Sequence, residues 1–225
     1  IDALIANEKD PVPTGWKMSP KSVLKYIVGG KAGKKVITPK YIGNDRLVEI
    51  CIATLVTDRA LLLIGDPGTA KSWLSEHLCA AINGDSTKVI QGTAGTTEEQ
   101  IKYSWNYAML ISQGPSEQAL IKSPVYRAME SGTIARLEEI SRCASEVQDA
   151  LISILSEKRI SVPELSTELP AKKGFSVIRI EKDMMNQERG SGMRVLKVFA
   201  DLDISFEHLP SGIDTMCVVV NAEDI

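Results

Sequence analysis

The stretch Ala60-Leu61-Leu62-Leu63-Ile64-Gly65-Asp66-Pro67-Gly68-Thr69-Ala70-Lys71-Ser72 decides how the chain is read. Its five apolar residues show no polar alternation, the pattern of a buried strand over Arg59–Ile64. From about Ala70 to Asn83 the chain becomes an amphipathic helix closed by Gly84. A glycine-rich turn between a strand and a helix cradles phosphate, because its successive N–H groups converge where the helix dipole is positive. Gly68 lets the main chain approach closely, since a β-carbon there would obstruct a phosphate. Lys71 supplies a point charge to the β- and γ-oxygens of a nucleotide, and Ser72 offers a hydroxyl to magnesium. Ala70 stands where the strict pattern has its second glycine. A plain glycine turn with a stray lysine is the alternative, and the strand before and helix after weigh against it. The expected ligands are ATP and Mg2+, on Asp66, Pro67, Gly68, Thr69, Ala70, Lys71, Ser72 and Trp73, although packing would also account for Trp73.

Upstream of this stretch, Ser19-Pro20 opens a short helix to Ile27, and a firmer one starts near Asn44. Ser86–Gly92 is a second strand, Ser123-Pro124 starts a helix stopped by Gly132, and Thr133–Leu137 is a third strand. Ser145-Glu146-Val147-Gln148 has capping-box spacing before another helix. Arg159–Leu169 reads as a hairpin. Strands separated by helices predict an α/β domain with a mostly parallel sheet.

The bulk composition agrees. Of 225 residues, 44% are hydrophobic and 24% charged, as in ordinary globular domains. A net charge of −3 gives no basic surface for nucleic acid. No apolar run reaches the roughly 18 residues of a membrane span, and no signal peptide opens the chain. The start at Ile1 reads as that of a fragment. The cysteines Cys51, Cys79, Cys143 and Cys217 form no CxxC pair, which favours buried thiols and a cytoplasmic location.

Metal-dependent phosphoryl chemistry needs an acidic element at the end of a neighbouring strand. Thr133-Ile134-Ala135-Arg136-Leu137-Glu138-Glu139 is the candidate, with Glu138 on the metal and Glu139, together with Lys71, as the catalytic pair. Glu138 is one methylene longer than the commoner aspartate, and Arg136 interrupts the apolar run. Taken alone, the same residues also suit a solvated helix start.

Residues 1–175 resemble MoxR-type AAA+ ATPases. Besides the phosphate loop, the resemblance rests on Ile37-Thr38-Pro39-Lys40-Tyr41-Ile42-Gly43, Gln91-Gly92-Thr93-Ala94-Gly95-Thr96-Thr97-Glu98-Glu99-Gln100 and Ser123-Pro124-Val125-Tyr126-Arg127-Ala128-Met129. It continues through Leu137-Glu138-Glu139-Ile140-Ser141-Arg142 and Val147-Gln148-Asp149-Ala150-Leu151. It implies a P-loop NTPase (AAA+) core, with Ile42 and Gly43 beside adenine, in a homo-oligomeric ring that remodels or activates a client protein. Without the family, Tyr41–Gly43 is an ordinary loop. The family's sensor strand ends in a polar pair with an asparagine. Here Gly174-Phe175-Ser176-Val177-Ile178 continues as Arg179-Ile180-Glu181-Lys182, without that asparagine. The arginine finger and helical lid are also missing, so hydrolysis is expected to be slow.

From Gly174 the pattern becomes a strand, a helix and two strands around Pro210-Ser211-Gly212. Residues 176–225 resemble part of the ACT regulatory domain of aspartate kinases. The carrying residues are Ile180–Asn186, Gly190-Ser191-Gly192 and Ile204–Asp214. The resemblance implies an effector amino acid, lysine or threonine, near Met185, Ser191, Phe206, Glu207 and Ser211. Only βαββ of the domain's βαββαβ is present, Ser191 replaces a usual phenylalanine, and the plain reading makes these core and loop residues. The expected architecture is therefore an incomplete α/β nucleotide-binding core over 1–175, then an α+β half domain. The expected function is a remodelling ATPase, with an amino-acid sensor as the alternative.

Overall fold

The computed structural model describes residues 1–57, 59–66, 68–182, 191–201, 205–208 and 219–220. Ile1–Leu63 and Ala70–Glu181 form one compact unit, and Ile64–Thr69 with Lys182–Ile225 another.

In the larger unit, α1 (Asp2–Ala6) precedes α2 (Pro20–Val28). The start of α2 is dictated locally. Ser19 Oγ accepts from the Ser22 N–H at 3.2 Å, and Pro20 occupies the first turn. A hairpin of β1 (Gly30–Ala32) and β2 (Lys35–Ile37) follows, then α3 (Asp45–Val56), capped by the Asn44 side chain on the Arg46 N–H. Next come β3 (Leu61–Gly65), α4 (Lys71–Asn83), ending at left-handed Gly84, and β4 (Val89–Gln91). A short α5 (Glu98–Ile101) leads to β5 (Tyr103–Trp105), α6 (Tyr107–Gln113) and β6 (Leu120–Lys122). Then follow α7 (Pro124–Ser131), β7 (Ile134–Glu138) and α8 (Ser145–Glu157). A hairpin of β8 (Arg159–Val162) and β9 (Thr167–Pro170) leads to β10 (Ser176–Lys182).

The main sheet has the order β3-β10-β7-β4. β7 pairs in parallel with β10, from Ser176↔Ile134 to Ile180↔Glu138, and with β4, from Val89↔Arg136 to Gln91↔Glu138. Alternate residues of β7 and β10 enter different cores, as a sheet covered on both faces requires. Ile134, Ile178 and Ile180 join Leu55, Leu74, Leu78 and Ile82 in one cluster. Ala135, Leu137 and Val177 join Met129, Ile140, Leu151 and Phe175 in the other. The C-terminal end of the inner strand β7 thus presents Glu138 between Gln91 and Ile180, where sheets of this class place their sites.

Two local features differ from the sequence expectation. β3 is not buried throughout: Leu61 and Leu63 are buried, whereas Leu62 and Ile64 are 49% and 60% exposed. Among the described residues β3 is the outermost strand, so one face of it suffices for the core. The capping box is also not at Ser145. Ala144 is the residue before α8 and Ser145 is already helical, its hydroxyl bonded to Glu146. A true capping box opens α5, where Thr97 and Gln100 bond reciprocally.

In the second unit, α9 (Ser191–Asp201) precedes β11 (Phe206–His208) and β12 (Val219–Val220), which pair antiparallel with Phe206 opposite Val220. Ser176–Glu181, read from the sequence as the head of the ACT-like segment, is a strand of the main sheet.

Candidate functional site

The expected phosphate loop runs from the end of β3 to the start of α4. Thr69 Oγ1 donates to the Asp66 carbonyl at 2.8 Å, tying the loop across three residues. Gly68 has φ +79°, and a β-carbon built there would meet nothing within 4 Å. The main chain is therefore open to an approaching anion. Ala70 holds φ 58°, a left-handed conformation. Glycine would adopt it without strain, whereas a residue with a β-carbon pays roughly 1–2 kcal/mol. Pro67 lies outside the described residues.

α4 begins directly at Lys71 and Ser72. Ser72 Oγ donates to Glu138 Oε2 at 3.2 Å, so the hydroxyl and the carboxylate read as metal ligands stand together. The extra methylene of Glu138 does not prevent the contact. Among the described residues no group of three or more His, Cys, Asp or Glu gathers to hold a metal. A hydroxyl with one carboxylate fits magnesium, which keeps several waters and takes further oxygens from phosphate rather than from a protein cage.

Arg136 explains its place inside an apolar strand. Its side chain is 9% exposed, and Nη1 lies 3.4 Å from Glu138 Oε1, from the Ser72 carbonyl and from Ser75 Oγ. Nη2 donates to the Ser86 carbonyl at 3.2 Å. The guanidinium therefore ties the first turn of α4 to β7 and braces Glu138, which accepts from Arg136 and Ser72 on different oxygens. The sequence showed it only as an interruption.

Glu139 follows with φ 55°, its carboxylate held 2.9 Å from Arg142. Its N–H donates to the Ile180 carbonyl at 3.0 Å, and the Gly92 N–H donates to the Glu138 carbonyl at 2.7 Å. A β-carbon on Gly92 would overlap the Glu139 carbonyl oxygen. Only glycine fits where β4 ends against this turn.

In the segment expected beside adenine, Ile42 is 91% exposed, and Gly43 lies against the Tyr41 ring. The Trp73 indole N–H donates to the Lys40 carbonyl at 2.7 Å, anchoring this segment to α4. Trp73 packs edge-on to His77, and Tyr26 Oη lies 3.1 Å from His77 Nδ1. Burial pushes the His77 pKa down, against the charge of Glu76 and with that of Lys40. Cys51, Cys79 and Cys143 are buried. Burial raises the Cys51 and Cys79 thiols to about 11 and about 12, leaving them unreactive.

The family model of the AAA domain (dynein-related subfamily) matches residues 60–201, well over half of the chain and including the loop, β7 and β10. The chain belongs to the AAA domain family. Nucleotide binding with a divalent metal is the family's common property. Among curated proteins, YehL of Escherichia coli (strain K12) is 47% identical over 175 residues, covering 76% of this chain and 48% of that protein. The chain thus spans about half of the length of this relative. Aspartokinase 3 of Bacillus subtilis (strain 168) is 43% identical over 47 residues, 21% of this chain and 10% of that protein. Among solved structures, the complex between subunits BchI and BchD of magnesium chelatase aligns with TM-score 0.46 at 19% identity, covering 63% of this chain and 52% of that one.

In this AAA chain, Arg179 and Glu181 stand on β10 where the sensor pair is expected, and Arg179 Nε meets Glu181 Oε1 at 2.5 Å. Both charges are thereby engaged with each other. Of the residues expected at an effector site, Ser191 starts α9, and Phe206 and Glu207 lie in β11. Met185 and Ser211 lie outside the described residues. No described helix is long and apolar enough to cross a membrane.

Proposed function

We propose that this chain is a MoxR-type AAA+ core that binds ATP with Mg2+ and hydrolyses it slowly, in a homo-oligomer that remodels or activates a protein client. The 3.2 Å contact between Ser72 and Glu138 carries the reading, because it brings two distant parts of the sequence into one pair whose oxygens suit a metal ion. Asp66 to Ser72 would hold the phosphates, Lys71 would neutralise their charge, and Ile42, Gly43 and Trp73 would flank the base. Bound magnesium would screen the β- and γ-phosphate oxygens and fix their orientation. Glu139 would orient a water, held meanwhile by Arg142. The Arg179–Glu181 pair supplies no sensor amide, which favours binding over turnover.

Glu138→Ala is therefore expected to weaken ATP binding in Mg2+ by about tenfold or more while leaving binding in EDTA unchanged. Glu139→Gln should keep both affinities. Fluorescence titration with a labelled ATP analogue checks this; equal losses with and without Mg2+ would remove Glu138 from the metal. Phosphate release by the native chain should stay well below about 1 s⁻¹, and faster release would refute the slow-turnover proposal.

A second reading is favoured by the aspartokinase similarity together with the antiparallel β11–β12 pair. It makes residues 176–225 a lysine or threonine sensor. Millimolar lysine or threonine should then raise the melting temperature by mass action, and no shift with either would dismiss it.

A further inference from the structure

Away from the phosphate loop, a cavity of about 620 Å³ opens within the larger unit, lined by Thr97, Glu98 and Lys102 of the α5 region, Tyr103 and Trp105 of β5, and Glu164 beyond β8. Three properties define its chemistry. It is acidic, since its lining sets Glu98, Glu99 and Glu164 against a single cation, Lys102, which is paired with Glu98 at 2.6 Å. It is aromatic, since the Tyr103 and Trp105 rings meet at 83° with centroids 6.0 Å apart. It is also ordered: Glu164 Oε2 accepts from the Tyr103 hydroxyl at 3.0 Å. Burial pushes the Tyr103 hydroxyl up to about 12, helped by Glu164, so it remains a donor at working pH. The carboxylate of the β8–β9 hairpin is thus fixed against the β5–β6 hairpin.

Carboxylates in excess repel an anion, and among the described residues no three metal-ligating groups come together so as to hold a metal ion. A fixed carboxylate beside two aromatic rings suits an ammonium or guanidinium group, whose charge meets the carboxylate while its carbon stem or plane packs on the rings. The volume exceeds what one such side chain needs. Just past Trp105 the same hairpin exposes Tyr107 and Ile111, 60% and 86%. Apolar residues beside an acidic aromatic cavity fit a polypeptide better than a free amine.

We propose that the cavity between Trp105 and Glu164 receives a lysine or arginine side chain of a partner polypeptide. This site is separate from the nucleotide site and does not depend on it. The test is fluorescence anisotropy of the intact chain with a labelled alanine-based peptide carrying lysine and arginine, against the same peptide with glutamate at those positions. The basic peptide should bind and the acidic one should not. Glu164→Gln should weaken binding about tenfold, the loss of one charge-assisted contact, and Trp105→Leu at least as much. Glu146→Gln, an exposed change on α8, should have no effect, and labelled ATP should bind all variants alike. Should Trp105→Leu fail to fold, Glu164→Gln still decides, because the amide oxygen can accept the same hydrogen bond. The proposal is overturned if Glu164→Gln binds like the native chain, if Glu146→Gln weakens binding equally, or if the basic peptide does not bind.

Discussion

Gly92→Ala is expected to destabilise the larger unit by about 2–4 kcal/mol, which in a domain of this size lowers the melting temperature by roughly 5–15 °C. The added β-carbon would overlap the Glu139 carbonyl oxygen and sit 2.8 Å from its carbon and 3.0 Å from Cys143 Sγ. Two of those three atoms are backbone and cannot swing aside. Overpacking of this kind costs about 1–3 kcal/mol. Any retreat of β4 also lengthens the 2.7 Å bond from the Gly92 N–H to the Glu138 carbonyl. That bond is worth about another 1 kcal/mol. The displaced turn carries Glu138 and Glu139, so nucleotide affinity in Mg2+ should fall with stability. Gly95→Ala is the matched control. Its β-carbon would come no closer than 4.0 Å to Thr93 Oγ1. A change within about 0.5 kcal/mol is expected there. Thermal unfolding of both variants checks the pair; comparable stability for the two would show that the turn accommodates a side chain.

The parts of the fold fixed by short-range chemistry were legible in the sequence. Ser19-Pro20 and Ser123-Pro124 open helices because a capping hydroxyl and a preset φ act within one turn. Gly84 and Gly132 end helices in the left-handed conformation for the same local reason. The loop from Gly65 to Ser72 and the acidic end of β7 were legible because their chemistry depends on residue type and order. What tertiary contacts decide was not. Arg136 read as an irregularity, since its partners, the Ser72 and Ser86 carbonyls and Ser75, lie far away along the chain. Gly92 read as one motif residue among several, and the approach of Glu139 that requires it exists only once β4 and β7 pair. The β5–β6 hairpin went unread, although alternation over Tyr103-Ser104-Trp105 and the Asn106 cap on the Met109 N–H were available signals. Ser145 shows the opposite error, a capping pattern that the chain does not use because extended backbone ends one residue earlier, at Ala144.

Lys71→Ala is expected to remove ATP binding, lowering affinity by about 100-fold or more, as the loss of a charged hydrogen-bond donor would. Lys71 is the first residue of α4, where the helix dipole already favours phosphate, and its ammonium would supply the one full positive charge contributed by this loop. Backbone N–H groups alone would leave the γ-phosphate with partial charges only. The substitution lies at a helix start, and alanine is a good helix former there, so the fold should persist and the loss should be one of binding. The most direct measurement is isothermal titration of MgATP into the native chain and into Lys71→Ala. One site per chain is expected for the native protein, and no measurable heat for the variant. Equal heats from both, or none from a folded native chain, would contradict this.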